Sequence, residues 1–339
     1  MSINRIIRRD FSSGLLFAVL ITFAQISVAN EFSVFRIGTG GVGGTYYPIG
    51  QLIAEAISNP KGSTVCNDDE NCGVPDLVAI AQSSNGSVSN VRAIGSNVLE
   101  SGFAQSDIAY WAHTGSGIFG DKNPISGLRA ISNLYAESVH IVARRGSSIR
   151  SVYDLRGKRV SLDEPGSGTL VDARIILKAH YLTEEDLLPE YIKPTLASEK
   201  LHNNQLDAFF IVAGYPISSV VDLALSTQMK LIPISGQPRQ RILKEYPFFA
   251  TDHIPTQAYA GIDGVDTISV GAQWVVSKSV DEEVVYKITR ALWNNSSRKI
   301  LNQGHAKGAH IMLETALEGV GIPLHLGAKK YYREMGLVK

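Results

Sequence analysis

Apolar residues along the chain recur in two ways: short continuous runs, and longer stretches where they return every three or four positions. Continuous runs suit strands covered on both faces, and the longer spacing suits helices that lay one face on a sheet. The first pairing opens at residues 35–51, FRIGTGGVGGTYYPIGQ, where an apolar run meets a glycine-rich turn and then a stretch with Pro48 near its start. Ile49, Leu52, Ile53 and Ile57 share one side of the predicted helix over 48–58. The layout repeats with a strand over 77–81 and a helix through 99, then with a strand over 102–104 and a helix over 108–113.

Strands are next expected over 128–134 and 139–144, with the polar Tyr135-Ala136-Glu137-Ser138 as the break between them. A second unit follows, with a helical turn and strand over 151–160, a polar loop at 164–169 and a helix to 180. The run 208–212 gives a strand that ends in Ala213-Gly214-Tyr215-Pro216, and 231–234 closes this unit's sheet. Residues 268–276 form the last strong strand, the helix from 280 carries Val284, Val285, Ile288 and Leu292 on one face, and 324–337 reads as helical. Strand and helix alternating in this way imply an α/β fold, each unit a mostly parallel sheet flanked by helices, with ligand sites outside the carboxyl ends of the strands.

Candidate chemistry therefore collects in the loops that follow strands. In the first unit these supply Thr39, Gly43, Gly44, Thr45 and Tyr46, then Ser84, Asn85, Gly86 and Ser87, then Gln105, Ser106 and Asp107. In the second they supply Gly166, Ser167 and Thr169, then Ala213 and Tyr215. Glycines at 38, 40, 41, 43 and 44 allow positive φ and close approach of backbone N–H groups, and each following helix offers its unpaired N-terminal donors and positive dipole end. Such loops hold an anion without a cationic side chain.

Composition narrows the classes. In 339 residues, enough for about two domains, the 32 basic side chains match the 32 acidic ones. Residues 1–29 stand apart: Arg5, Arg8 and Arg9 precede an almost uncharged apolar run that closes on Ser27-Val28-Ala29. This is the pattern of a signal peptide cleaved after Ala29, with Arg8-Arg9 also allowing a twin-arginine route, and the run is short of the roughly 20 residues of a comfortable membrane span. Without that segment 29 basic and 31 acidic residues remain, and near-neutrality argues against nucleic acid as a partner. Cys66 and Cys72 flank Asn67-Asp68-Asp69-Glu70-Asn71. In an oxidising compartment they suit one local disulfide; a metal site is the alternative, although the spacing matches no calcium or zinc pattern. No cofactor is expected. Catalysis finds no support: Gly166-Ser167-Gly168 lacks the G-x-S-x-G form, His305 and His310 are five apart, and no acidic residue follows the 77–81 strand to hold a ribose.

These same loops carry a resemblance. IGTGGVGGTYYPIG at 37–50, SSNGSVSNV at 83–91, AQSDIAY at 104–110, DLRGKRVSLDEPGSGT at 154–169, DAFFIVAGYP at 207–216 and LHLGAKKYYREMG at 324–336 resemble, in order, the TAXI-type solute-binding proteins of TRAP transporters. Two features depart from that pattern: Ser84-Asn85-Gly86-Ser87 stands where Thr-Gly-Gly-Ser is more usual, and the cysteine loop is longer. The resemblance implies a periplasmic, two-lobed, type II binding-protein fold that closes on a small organic anion, such as 2-oxoglutarate or glutamate, and delivers it to a sodium-driven permease. It implies a first lobe of residues 30–134 with 272–339, a second of 135–271, and a monomer.

Overall fold

The computed structural model describes residues 33–60, 73–226 and 229–339, so the expected signal peptide and the Cys66 to Cys72 loop lie outside the described residues. The described chain opens with β1 (Ser33–Gly38), where Phe35 and Ile37 turn inward while Val34 stays exposed, and continues into α1 (Tyr46–Ile57). Ile49, Ile53 and Ile57, four apart on α1, are fully buried against the sheet. Pro48 is tolerated because the first turn of a helix has no intrahelical use for its N–H. A small ladder of β2 (Ser58–Asn59) and β3 (Val74–Pro75) leads to β4 (Leu77–Gln82), α2 (Ser87–Gly95), β5 (Ser101–Gln105) and α3 (Ser106–Thr114). β1 lies between β4 and β5, parallel to both.

Here the fold departs from the expectation of two strands broken by a polar turn. Residues 128–144 form one strand, β6 (Leu128–Arg144), 17 residues long. Its polar middle is no turn: Tyr135, Glu137 and Ser138 are buried, and the strand stays paired there, Tyr135 with Ala272, Ala136 with Gly271 and Glu137 with Val270. The partner is β12 (Val265–Ser277), whose 272–276 stretch also pairs with β5. Two register shifts, between Ala272 and Gln273 and between Trp274 and Val275, bend the pair in its middle.

After β6 come β7 (Arg159–Ser161), α4 (Gly168–Ala179), β8 (Leu188–Glu190), α5 (Pro194–His202), β9 (Ala208–Ala213) and α6 (Ser218–Ser226). β10 (Met229–Leu231) lies antiparallel on β6, and α7 (Gly236–Glu245) and β11 (Ala250–Ile254) bring the chain back to β12. α8 (Glu282–Leu292), α9 (Asn295–Gly304) and α10 (Leu326–Glu334) then cover the β1 side. The sheet order is β4-β1-β5-β12-β6-β9-β7-β8. Parallel triplets at the two ends are joined through an antiparallel centre, a mixed α/β architecture with flanking helices.

Trp274 anchors the β1 side, fully buried, with its indole N–H donating to Ser101 Oγ at 3.1 Å. A second apolar cluster runs without a break from Val88 and Ile108 on α2 and α3 to Leu170 and Val171 on α4. The loops at the carboxyl ends of the outer strands therefore face each other at close range.

Candidate functional site

Seven chain segments meet around one cavity of about 140 Å³. That is close to the ~150 Å³ that accommodates a six-membered carbon ring, so an occupant has on the order of ten non-hydrogen atoms or fewer.

The glycine-rich loop after β1 is held from below by Thr39, whose amide and hydroxyl both donate to the Gln82 carbonyl, at 2.8 and 2.7 Å. None of its five glycines takes a left-handed φ, contrary to the reading of that loop. Their use is closeness. A Cβ on Gly43 would come within 2.4 Å of Thr195 Cγ2 at the start of α5, and the Gly43 carbonyl accepts from the Ser219 hydroxyl (3.0 Å) and amide (3.3 Å) on α6. Thr45, at the cap of α1, donates its hydroxyl across the cleft to the Gly214 carbonyl.

The left-handed glycines lie in the next loops. Gly86, with φ 107°, caps α2, and Gly166, with φ 99°, precedes the cap of α4. These two helix starts face one another: a Cβ on Gly86 would lie 3.5 Å from Ser167 Cα. The Ser89 amide donates to the Gly166 carbonyl at 2.9 Å and Asn85 Nδ2 to the Pro165 carbonyl at 3.1 Å, so the approach is tied by hydrogen bonds. Gln105 closes a third side. Its amide donates to Ser87 Oγ (3.1 Å) and its Nε2 to Asp172 Oδ2 on α4 (2.8 Å), while its buried Oε1 has no partner.

Of the residues read from the sequence, Gly43, Gly44, Thr45, Tyr46, Asn85, Gly86, Ser87, Gln105, Ser167, Thr169 and Ala213 line the cavity. Thr39, Ser84, Ser106, Asp107, Gly166 and Tyr215 do not. Thr39 is committed to Gln82, and the Ser84 hydroxyl sits between the Thr39 carbonyl and Asn90 Oδ1. The Tyr215 ring faces away toward Lys307, whose ammonium lies 3.9 Å from its centroid. Ser106 lies behind Gln105 in the first turn of α3, and the Asp107 carboxyl is fully buried there. Burial raises the pKa values of both Asp107 and Asp172, and for Asp172 the nearby Asp107 charge adds to the rise.

Several lining hydroxyls are already engaged. Ser167 Oγ caps α4 by accepting from the Leu170 amide (3.1 Å), and Thr169 Oγ1 accepts from the Val212 amide (3.1 Å). What these loops present to an occupant is therefore chiefly helix-start backbone.

Reasoning from the sequence passed over the charged part of the wall: Glu137, Asp163, Glu164 and Lys193. Glu137, in the middle of β6 and 1% exposed, accepts from the Tyr46 hydroxyl at 2.6 Å, and burial pushes its carboxyl up to about 8. Asp163, just past β7, has a left-handed φ of 74°, and burial pushes it up to about 7. Lys193 stands 3.7 Å from Glu164. The polar break at 135–138 was the available signal for Glu137, since a charge inside an apolar strand run marks a site when the strand does not turn. Nothing in local spacing announced Asp163.

Among the described residues no group of three or more His, Cys, Asp or Glu is placed to hold a metal ion, and no histidine lines the cavity. No helix among them is long and apolar enough to cross a membrane.

A mixed sheet with parallel ends, long antiparallel strands through its centre and a cavity enclosed by the outer loops defines the periplasmic-binding-protein-like fold. Solved structures share it. PhnD1 from Prochlorococcus marinus, determined with methylphosphonate, matches over 90% of this chain and 99% of its own, with 8% identity and a TM-score of 0.51. A Bordetella bronchiseptica RB50 protein matches over 90% and 82%, with 17% identity and a TM-score of 0.51. Residues 37–336 match the model of the NMT1-like family, and the chain belongs to that family.

Proposed function

We propose that this protein is an exported solute-binding protein of the TAXI type, which captures a small organic anion and hands it to the membrane permease of a TRAP transporter. The observation that carries the reading is the enclosed cavity between the facing starts of α2 and α4, a place built from backbone donors and closed by hydrogen bonds from both sides. On this reading residues 30–134 with 272–339 form one lobe and 135–271 the other, and the paired middles of β6 and β12 act as the hinge. The 1–29 segment directs the chain to the periplasm, where it acts as a monomer without catalysis or cofactor. Dicarboxylates and acidic amino acids match the cavity's size, and the resemblance over 37–50, 83–91 and 154–169 supports the TRAP assignment.

The test is a thermal-shift screen of the mature chain against small carboxylates, amino acids and methylphosphonate. A ligand at a hundredfold excess over its Kd stabilises by roughly 2.7 kcal/mol, a rise of several degrees. A flat response across the set would overturn the reading.

A further inference from the structure

Behind the cavity wall, α3 and α4 bring two carboxyls together away from water. Asp107, in the first turn of α3, and Asp172, in the second turn of α4, are fully buried and within hydrogen-bond reach of each other. Their chain neighbours Ile108, Val171 and Ala173 belong to the apolar cluster that joins α2 and α3 to α4. Neither oxygen of Asp107 finds a donor, nor does Asp172 Oδ1, while Asp172 Oδ2 accepts from Gln105 Nε2 at 2.8 Å. The titratable groups that face the pair are each other and Glu137 on β6, all of them acids, and the amides of Asp107 and Ile108 lie near Asp107 without aligning to its oxygens. Two ionised carboxyls in contact and out of water repel, whereas one proton between them turns the repulsion into a hydrogen bond. The geometry also says which oxygen carries it. Gln105 holds Asp172 Oδ2 as an acceptor, so the proton belongs on Oδ1 and is donated to Asp107, whose charge at the start of α3 is favoured by the helix dipole.

We propose that Asp107 and Asp172 are positioning residues that share one proton across the cleft and so hold Gln105 in the cavity wall, closure taking that proton from solvent and opening returning it. The inference rests on the two-lobed solute-binding reading, in which α3 belongs to one lobe and α4 to the other. Gln105 is the link to the cavity: its amide donates to Ser87 Oγ at 3.1 Å, and a Cβ on Gly168, the first residue of α4, would fall 1.4 Å from its Oε1. In the open form both carboxyls meet water and ionise in the ordinary range, so near neutral pH the closed form holds one proton more at this pair. Burial raises both carboxyls, and the Asp107 charge raises Asp172 further. The contribution to closure is therefore complete below the ordinary carboxylate range and is lost as pH rises through the closed-state value.

The experiment uses the mature chain without any ligand, with small-angle scattering from pH 6 to 9 and infrared spectra of the carboxyl C=O stretch at pH 7. Asp172→Asn keeps an acceptor for Gln105 and replaces the shared proton with an amide N–H toward Asp107; Asp107→Asn places the amide on the other side. Glu137 and Asp163 titrate in all three proteins, so the pair is read as a difference. The wild type should open as pH rises, its opening constant growing by up to about tenfold per pH unit more than in either Asn variant, as release of one proton requires. The infrared band of a protonated carboxyl should weaken in Asp172→Asn. Asp172→Ala, which loses the Gln105 anchor, should scatter with a larger radius of gyration than Asp172→Asn at every pH. Scattering that answers pH alike in the wild type and both Asn variants, whether all open or none does, would overturn the proposal, and so would an infrared band unchanged in Asp172→Asn. No ligand enters these measurements, so their failure leaves the solute-binding reading standing, whereas a flat thermal-shift screen bears on that reading alone.

Discussion

At the scale of single residues, Glu137 is one of the buried carboxyls, with Asp163 and Asp172, that set how the unliganded chain answers to pH. Its carboxyl moves from an ordinary 4.5 to about 8 because it is buried, so the folded chain holds a proton that the unfolded chain has lost between those values. Stability therefore falls as pH rises through that window, and Asp163, raised to about 7, acts in the same direction. Buried His140 opposes them at the acid end: burial lowers it from 6.5 to about 4, so its contribution is complete above 6.5 and lost as pH falls toward 4. Lys307, lowered by burial, acts the other way, so the Glu137 contribution is read as a difference: between pH 6.5 and 8.5 Tm should fall more steeply, or rise less, in the wild type than in Glu137→Gln. Equal slopes in calorimetric scans of the two proteins would contradict this account. Gly43 gives a second prediction. A methyl group there meets Thr195 Cγ2 at 2.4 Å, so Gly43→Ala should weaken ligand binding by the equivalent of ~1–3 kcal/mol of overpacking. Thr195→Ser removes the opposing methyl, and titrations should show it restoring much of the affinity in the double variant.

Elements show where local pattern decides and where it fails. The strand, loop and helix series through residue 114 was legible because each run pairs apolar continuity with a helical stripe, as Ile49, Ile53 and Ile57 illustrate. β6 was not, because Glu137 in its polar middle borders the cavity and Ser138 bonds Asp252, and a polar residue buried for such a use looks in sequence like one that faces solvent. In the glycine loop the expected positive φ is absent and close approach remains: Gly43 packs against Thr195, and the left-handed glycines beside the cavity are Gly86 and Gly166. Asp163 was invisible because its place depends on the loop after β7 meeting the loop after β1 at one cavity, which no spacing encodes. The far end of β6 carries a junction of its own. Asp207 accepts from the Arg159 amide (3.0 Å) and guanidinium (2.9 Å) and from Arg144 (3.1 Å), which ties the end of β6 to the starts of β7 and β9. The Arg159 hydrogen bonds hold its carboxyl down at about 2, so the stabilisation is present above the ordinary value of 3.8 and lost as pH falls toward 2. Asp207→Asn should cost on the order of 1–2 kcal/mol in urea unfolding at pH 7, and that difference should narrow at pH 3.

For the whole molecule, the question is how much of the closed arrangement is supplied by the protein's own bonds. Direct hydrogen bonds already span the cavity without an occupant: Thr45 to Gly214, Ser219 to Gly43, Asn85 to Pro165, the Ser89 amide to Gly166 and Gln105 to Asp172. A ligand shifts an opening equilibrium only by its preference for one form, and its apparent affinity is reduced by the fraction of molecules not already competent. Removing two of these bonds measures the protein's share of closure in the ligand-free state. Thr45→Val and Ser219→Ala each delete a hydroxyl that reaches across, at a net ~0.5–1.5 kcal/mol apiece. Together they should shift the equilibrium toward the open form by about thirtyfold at the midpoint of that range. Small-angle scattering should then report a larger radius of gyration for the ligand-free double variant than for the wild type. Saturating ligand should return both to the same compact value, with the variant needing more ligand to reach it. If the two ligand-free proteins scatter identically and bind with equal affinity, the cross-cavity bonds do not set the equilibrium, and closure rests on the apolar contact of α2 and α3 with α4.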